Sequence, residues 1–136
     1  MPILDSGAKP VRREGREGLL ITEDLRGNAV VLALKGELDL RTAPHLRVQL
    51  AELVRRCDAD VVLDLEGVAF IDSTGLAAML NALRRLTRAQ RCLMLVCPDG
   101  PVRRILHLTR LDGTFIVHEY VEDALEELAV RNSAVE

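Results

Sequence analysis

The amino-acid sequence predicts an α/β fold, with a mixed central β-sheet and about four helices in the order β-β-α-β-α-β-α-β-α. Three observations carry this. Short apolar runs, β-branched at residues 61–65 and continuing the pattern at 92–96, have the character of strands buried on both faces. Between and after them, leucines, valines and alanines recur at helical spacing. Ahead of them, two apolar runs flank Arg26-Gly27-Asn28, which is turn chemistry, so the chain opens with a hairpin. Alternating strands and helices imply parallel pairing, and the hairpin supplies the antiparallel part.

Taken in order, residues 19–24 and 29–35 are the hairpin strands. Gly36-Glu37-Leu38-Asp39 then leaves the sheet. Thr42 can cap a first helix and Pro44 suits its first turn. Leu46, Leu50, Leu53, Val54 and Cys57 form the buried stripe of that helix. Residues 61–65 are a strand, followed by a loop through Phe70 that Val68, Phe70 and Ile71 anchor to the core. A second helix starts at Thr74, with Leu76, Leu80 and Leu83 facing inward. Residues 92–96 are a strand. Residues 101–109 form a short helix that buries Val102, Ile105 and Leu106. A last strand covers 115–118. Glu122 and Asp123 sit at the start of a final helix, where the dipole favours negative charge, and Ala124, Leu125 and Leu128 are its apolar stripe. Residues 1–17 lack periodicity and are expected to be a flexible tail, residues 18–131 one domain, and residues 132–136 a frayed end.

Composition narrows the function. The 136 residues suit one domain with a core of its own. Lys and Arg number 18 against 21 Asp and Glu, and there is no Trp, so neither a net basic surface nor a set of stacking aromatics points to nucleic acid. Arg84, Arg85, Arg88 and Arg91 cluster where cations complement a helix C-terminus. Cys57, Cys92 and Cys97 are odd in number and lack a close pair. They are expected to be reduced thiols, mostly buried, in a cytoplasmic protein. His45, His107 and His118 show no metal-ligand spacing. No apolar run approaches a membrane span, and the N-terminus has no signal-peptide pattern.

Phosphate-loop, dinucleotide-loop and nucleophile-elbow motifs are absent. Asp64 and Asp72 fall near the C-terminal end of a buried strand, where a carboxylate pair could do acid–base work. The same two residues could equally be a satisfied hydrogen-bond acceptor and a helix cap. The informative segment is Asp72-Ser73-Thr74-Gly75. Three small oxygen-bearing residues stand at a helix start, where free N–H groups and the dipole welcome negative charge. Capping alone accounts for such a cluster. An exposed hydroxyl in that field also suits phosphorylation. Gly75 is a poor choice inside a first turn, and its missing side chain would let a partner approach the backbone.

The string Val61-Val62-Leu63-Asp64-Leu65, then Val68, then Phe70-Ile71-Asp72-Ser73-Thr74-Gly75-Leu76, resembles the signature of STAS domains, in particular the bacterial anti-sigma factor antagonists. Gly36-Glu37-Leu38-Asp39-Leu40, followed by Thr42-Ala43-Pro44, resembles the same family's loop before its first long helix. The resemblance spans about residues 19–130 and implies a single STAS-like domain that is not an enzyme. It implies binding to an anti-sigma factor that is also a serine kinase, with release of a sigma factor. It further implies that phosphorylation at Ser73 ends the binding and a phosphatase restores it, with Thr74 the second candidate acceptor. Asp39, Asp72, Thr74, Gly75 and Leu76 would form the environment of the switch, with Asp39 near Ser73 at the same sheet end. No cofactor is expected on this chain; ATP and Mg²⁺ would belong to the kinase. Ala77-Ala78 departs from the Gly that many relatives carry after the Leu, and touches no mechanistic residue. Two other readings compete: a soluble STAS subunit of a transporter or stress-signalling assembly, and an enzyme using Asp39, Asp64 and Asp72.

Overall fold

The computed structural model describes residues 12–16 and 18–135. A six-stranded sheet is ordered sequentially from β1 to β6. Its strands are β1 (Arg12–Arg16), β2 (Leu19–Arg26), β3 (Ala29–Leu38), β4 (Asp60–Ile71), β5 (Leu93–Val96) and β6 (Ile116–His118). The first two pairings are antiparallel and the remaining three parallel. Four helices connect or follow the strands: α1 (Ala43–Arg56), α2 (Ser73–Arg88), α3 (Pro101–Leu108) and α4 (Val121–Val135). This is the mixed α/β architecture the sequence predicts.

Strand alternation sorts the side chains into two layers. Leu19 and Ile21 of β2, Leu32 and Leu34 of β3, and Leu63 and Leu65 of β4 join the buried faces of α1, α2 and α3. Val31, Val62, Met94 and Val96 point the other way, onto Ala124 and Leu128 of α4. On α1, Ala43, Leu46, Gln49, Leu50 and Leu53 are buried, while Val54 and Cys57 lie at the margin. Burial pushes the thiols of Cys92 and Cys97 upward in pKa, which keeps them protonated.

The structure departs from the sequence-based expectation in several places, and β3 itself runs on through Gly36, Glu37 and Leu38, where the sequence predicts an exit from the sheet. A strand at Arg12–Arg16 pairs with β2 inside the segment expected to be a tail; residues 1–11 and 17 lie outside the described residues. Four charged residues and a glycine, held by a backbone ladder, leave no hydrophobic period to read. At the other end, α4 runs through Val135, beyond the expected boundary at 131. Likewise, β4 continues past Leu65 to Ile71. Residues 67–71 keep pairing with β3 through two register shifts, so the polar Glu66-Gly67 interrupts the apolar pattern without ending the strand. Phe70 does not anchor this stretch: Val68 and Ile71 are buried, but Phe70 is 50% exposed. Helix α2 is also rotated from the expected leucine stripe. Gly75, Ala78, Met79, Ala82 and Leu86 face the sheet, and Leu76, Leu80 and Leu83 flank them. The small residues let the helix sit close to the strands.

Candidate functional site

The extension of β4 carries Asp72 and α2 beyond the ends of β5 and β6. Asp64 is the last β4 residue paired with β5, and Val96 the last β5 residue paired with β6. The partner of this overhang is the end of β3, where Leu38 lies opposite Ile71. Two loop-to-helix junctions therefore meet: β3 into α1, and β4 into α2.

Asp72 joins them. Its backbone N–H donates to the Leu38 carbonyl at 3.2 Å. One carboxylate oxygen accepts from the Gly75 N–H at 2.9 Å and caps α2; the other accepts from the Leu40 N–H at 3.2 Å. The Leu76 N–H donates to the Asp72 carbonyl, closing the first helical turn. Asp72→Ala removes cap and tether together and is expected to cost about 1–3 kcal/mol. Asp72→Asn keeps an acceptor for Gly75 but turns an NH₂ toward Leu40. Denaturant unfolding should find it closer to wild type, with amide exchange accelerated at Leu40.

Gly75 is buried against the chain itself. A Cβ there would overlap the Leu38 carbonyl oxygen and lie 2.9 Å from Ile71 Cγ1. The glycine thus admits the neighbouring strand, which replaces the partner approach expected from sequence. Gly36 plays a similar part, with φ +125° and an overlap with the Gly18 carbonyl for any added Cβ.

Asp39 is engaged in its own loop. Its carboxylate accepts from the N–H groups of Arg41 at 3.0 Å and Thr42 at 3.1 Å, and from the Thr42 hydroxyl at 3.2 Å. Partial desolvation works to raise its pKa. The Thr42 and Arg41 N–H bonds, the Thr42 hydroxyl and the Arg41 charge outweigh it and hold the carboxyl below its ordinary value. Thr42 does not cap α1 with its side chain as expected. Its hydroxyl instead accepts from the Asp39 N–H and donates to the Glu37 carbonyl. Arg41 bridges to Glu37 at 3.3 Å and Asp39 at 3.8 Å.

Ser73 is the first residue of α2 and is exposed; its hydroxyl makes no hydrogen bond among the described residues. Thr74 is partly buried, and Leu76 packs at the margin of the core. Leu40, 72% exposed, and Phe70 leave apolar surface on the two junctions that flank Ser73. Sequence patterning gives no sign of that exposure at Phe70, which reads as a core anchor.

Of the candidate acids, Asp39 and Asp72 share the junction, whereas Asp64 stands apart. Asp64 and Asp72 are separated along one strand by eight residues, roughly 25 Å. Asp64 is half-buried and accepts from the Glu66 N–H at 2.9 Å. Burial raises its pKa, the Glu66 N–H opposes this, and the charges of Glu66 and Glu122 add to the rise. No group of His, Cys, Asp and Glu among the described residues could hold a metal ion. No helix among them is long and apolar enough to cross a membrane.

An exposed hydroxyl on a capped helix start, flanked by exposed apolar side chains, gives this α/β domain a surface that a partner can reach. The chain belongs to the STAS domain family, whose sequence model matches residues 21–124. It is similar to the anti-sigma-F factor antagonist RsfB of Mycobacterium tuberculosis, 29% identical over 80% of this chain and 88% of that protein. It is also similar to the anti-sigma F factor antagonist of Paenibacillus polymyxa, 28% identical over 74% of this chain and 87% of that one. The crystal structure of an anti-sigma factor antagonist from Mycobacterium paratuberculosis matches with a TM-score of 0.75 at 27% identity, over 83% of this chain and 96% of that chain. Each of these relatives is named as an antagonist of an anti-sigma factor.

Proposed function

We propose that this chain is an anti-sigma factor antagonist that binds an anti-sigma factor with serine kinase activity, so that a sigma factor is released. Phosphorylation at Ser73 switches the binding off and a phosphatase restores it. ATP and Mg²⁺ belong to the kinase. The observation that carries this reading is the state of Ser73: an exposed, unbonded hydroxyl at the start of α2, beside a carboxylate already engaged as cap and tether. The acceptor can be modified without dismantling the structure around it. Leu40 and Phe70 supply apolar area for a partner at the same place.

Incubation with the kinase, ATP and Mg²⁺, followed by mass spectrometry, should place one phosphate on Ser73. Modification mainly at another residue would overturn the assignment. Ser73→Ala should cost less than about 1 kcal/mol, because Asp72, and not Ser73, accepts the capping bond. The variant should bind the anti-sigma factor nearly normally and resist switching off. Loss of folding would instead make Ser73 a structural residue.

A further inference from the structure

Charge is segregated across the sheet. α1 and α2 lie on one face and carry Arg47, Arg55, Arg56, Arg84, Arg85 and Arg88 against one acid, Glu52. The opposite face carries α4, with Glu122, Asp123, Glu126 and Glu127 against Arg131. The chain as a whole has a formal charge of −3, so the basic face is a local feature.

Arg56 is spent on Glu23, which it meets at 3.0 Å. The other five arginines are exposed, and their side chains make no hydrogen bond or ion pair among the described residues. Ser73, Ala77, Arg84 and Arg88 recur on one exposed stripe of α2, the arginines roughly 16 and 22 Å along the helix from Ser73. Arginines at a helix end complement its dipole, which is reason enough for Arg85 and Arg88 in the last turn. It gives none for Arg47, near the start of α1, and none for the absence of any acid throughout α2.

We infer that the outer face of α1 and α2 is a docking ridge for an acidic protein surface, continuous with the Ser73 site. This rests on the proposed reading and adds the chemistry of the partner. Charge complementarity selects the occupant: unpaired guanidiniums form forked bonds to carboxylates and steer association over distance. Nucleic acid is disfavoured because no aromatic residue lies among these arginines, and a membrane because Val48 is the one exposed large apolar side chain on the two helices.

The test compares wild type with two triple variants, Arg84→Glu/Arg85→Glu/Arg88→Glu and Arg84→Lys/Arg85→Lys/Arg88→Lys, each checked for folding by circular dichroism. Two probes are used, the anti-sigma factor kinase and poly-L-glutamate. The Glu variant should associate with both at least about tenfold more slowly at low salt and lose most of the salt dependence of wild type, while the Lys variant keeps it. Equal association of wild type and the Glu variant with both probes would overturn the ridge. Should the kinase fail to bind wild type while poly-L-glutamate binding still depends on the arginines, the ridge stands and the proposed function falls. Tighter capture of wild type by duplex DNA or phosphatidylserine vesicles than by either probe would overturn a protein occupant.

Discussion

Stoichiometric phosphorylation of Ser73 is expected to lower affinity for the anti-sigma factor by about a hundredfold or more, with little change in the fold. The phosphate adds about −1.5 to −2 charges at neutral pH. The N-terminus of α2 attracts it by roughly 0.3–1 kcal/mol at an exposed site. Asp72 repels it. Two unit charges about 4 Å apart interact by about 4 kcal/mol at an effective dielectric of about 20, before salt screening. These terms oppose one another within the domain, and Asp72 keeps its bonds to Gly75 and Leu40. Arg84 and Arg88 lie beyond the roughly 8–10 Å screening length and cannot neutralise the new charge. Docking is different, because a partner must strip water from the phosphate and bring its own acidic groups close to it. Ser73→Glu supplies one charge and fewer acceptors, so it should mimic the effect only in part. Amide spectra should change mainly within residues 36–45 and 70–80. Widespread shifts elsewhere would rule out a local block, and unaltered affinity would end the switch hypothesis.

Gly75→Ala is expected to destabilise the protein although it replaces a helical glycine. Alanine gains about 1 kcal/mol over glycine in a helix interior. Against this, the added methyl meets the Leu38 carbonyl, which already accepts from the Asp72 N–H, and Leu38 itself is fully buried. Overpacking of this kind typically costs about 1–3 kcal/mol and sometimes more, and a backbone obstacle cannot rotate aside. Because the obstacle is backbone, the upper part of that range applies, and the net result should be a loss of up to about 2 kcal/mol, or up to roughly 8 °C in Tm for a domain of this size. Amide shifts should concentrate at residues 38–41 and 72–76. A variant as stable as wild type would show that the two junctions are not held as close as the glycine implies.

The elements that dominate the fold are legible in the sequence because each buries an unbroken apolar face. Residues 61–65 and 92–96 need no context to be recognised as central strands. The helix start at Asp72-Ser73-Thr74-Gly75 is equally plain, since cap chemistry is local. What cannot be read is set by tertiary pairing. β1 contains no buried period, and β4 outlasts its hydrophobic run because β3 continues beside it through two register shifts. The rotation of α2 follows from which small residues fit against the strands. Phe70 looks like core and is surface. Asp39 sits in the expected loop, but the fold of that loop, not its letters, turns the carboxylate onto the N–H groups of Arg41 and Thr42.

The overhang of β4 on β3 has a consequence for quality control. Leu38, Leu40, Asp72 and Gly75 come together only after the chain has crossed over through α1 and the two strands have zipped in parallel to their ends. Contacts of this sequence separation form late, because loop closure must precede them. An unfinished, nicked or misfolded chain carries the same Asp72-Ser73-Thr74-Gly75 letters without the platform that presents them. On the proposed reading, a kinase that recognises the assembled junction would survey only finished molecules. Damaged copies would then neither occupy it nor consume its ATP, and the level of signal would follow the folded population and not the amount synthesised.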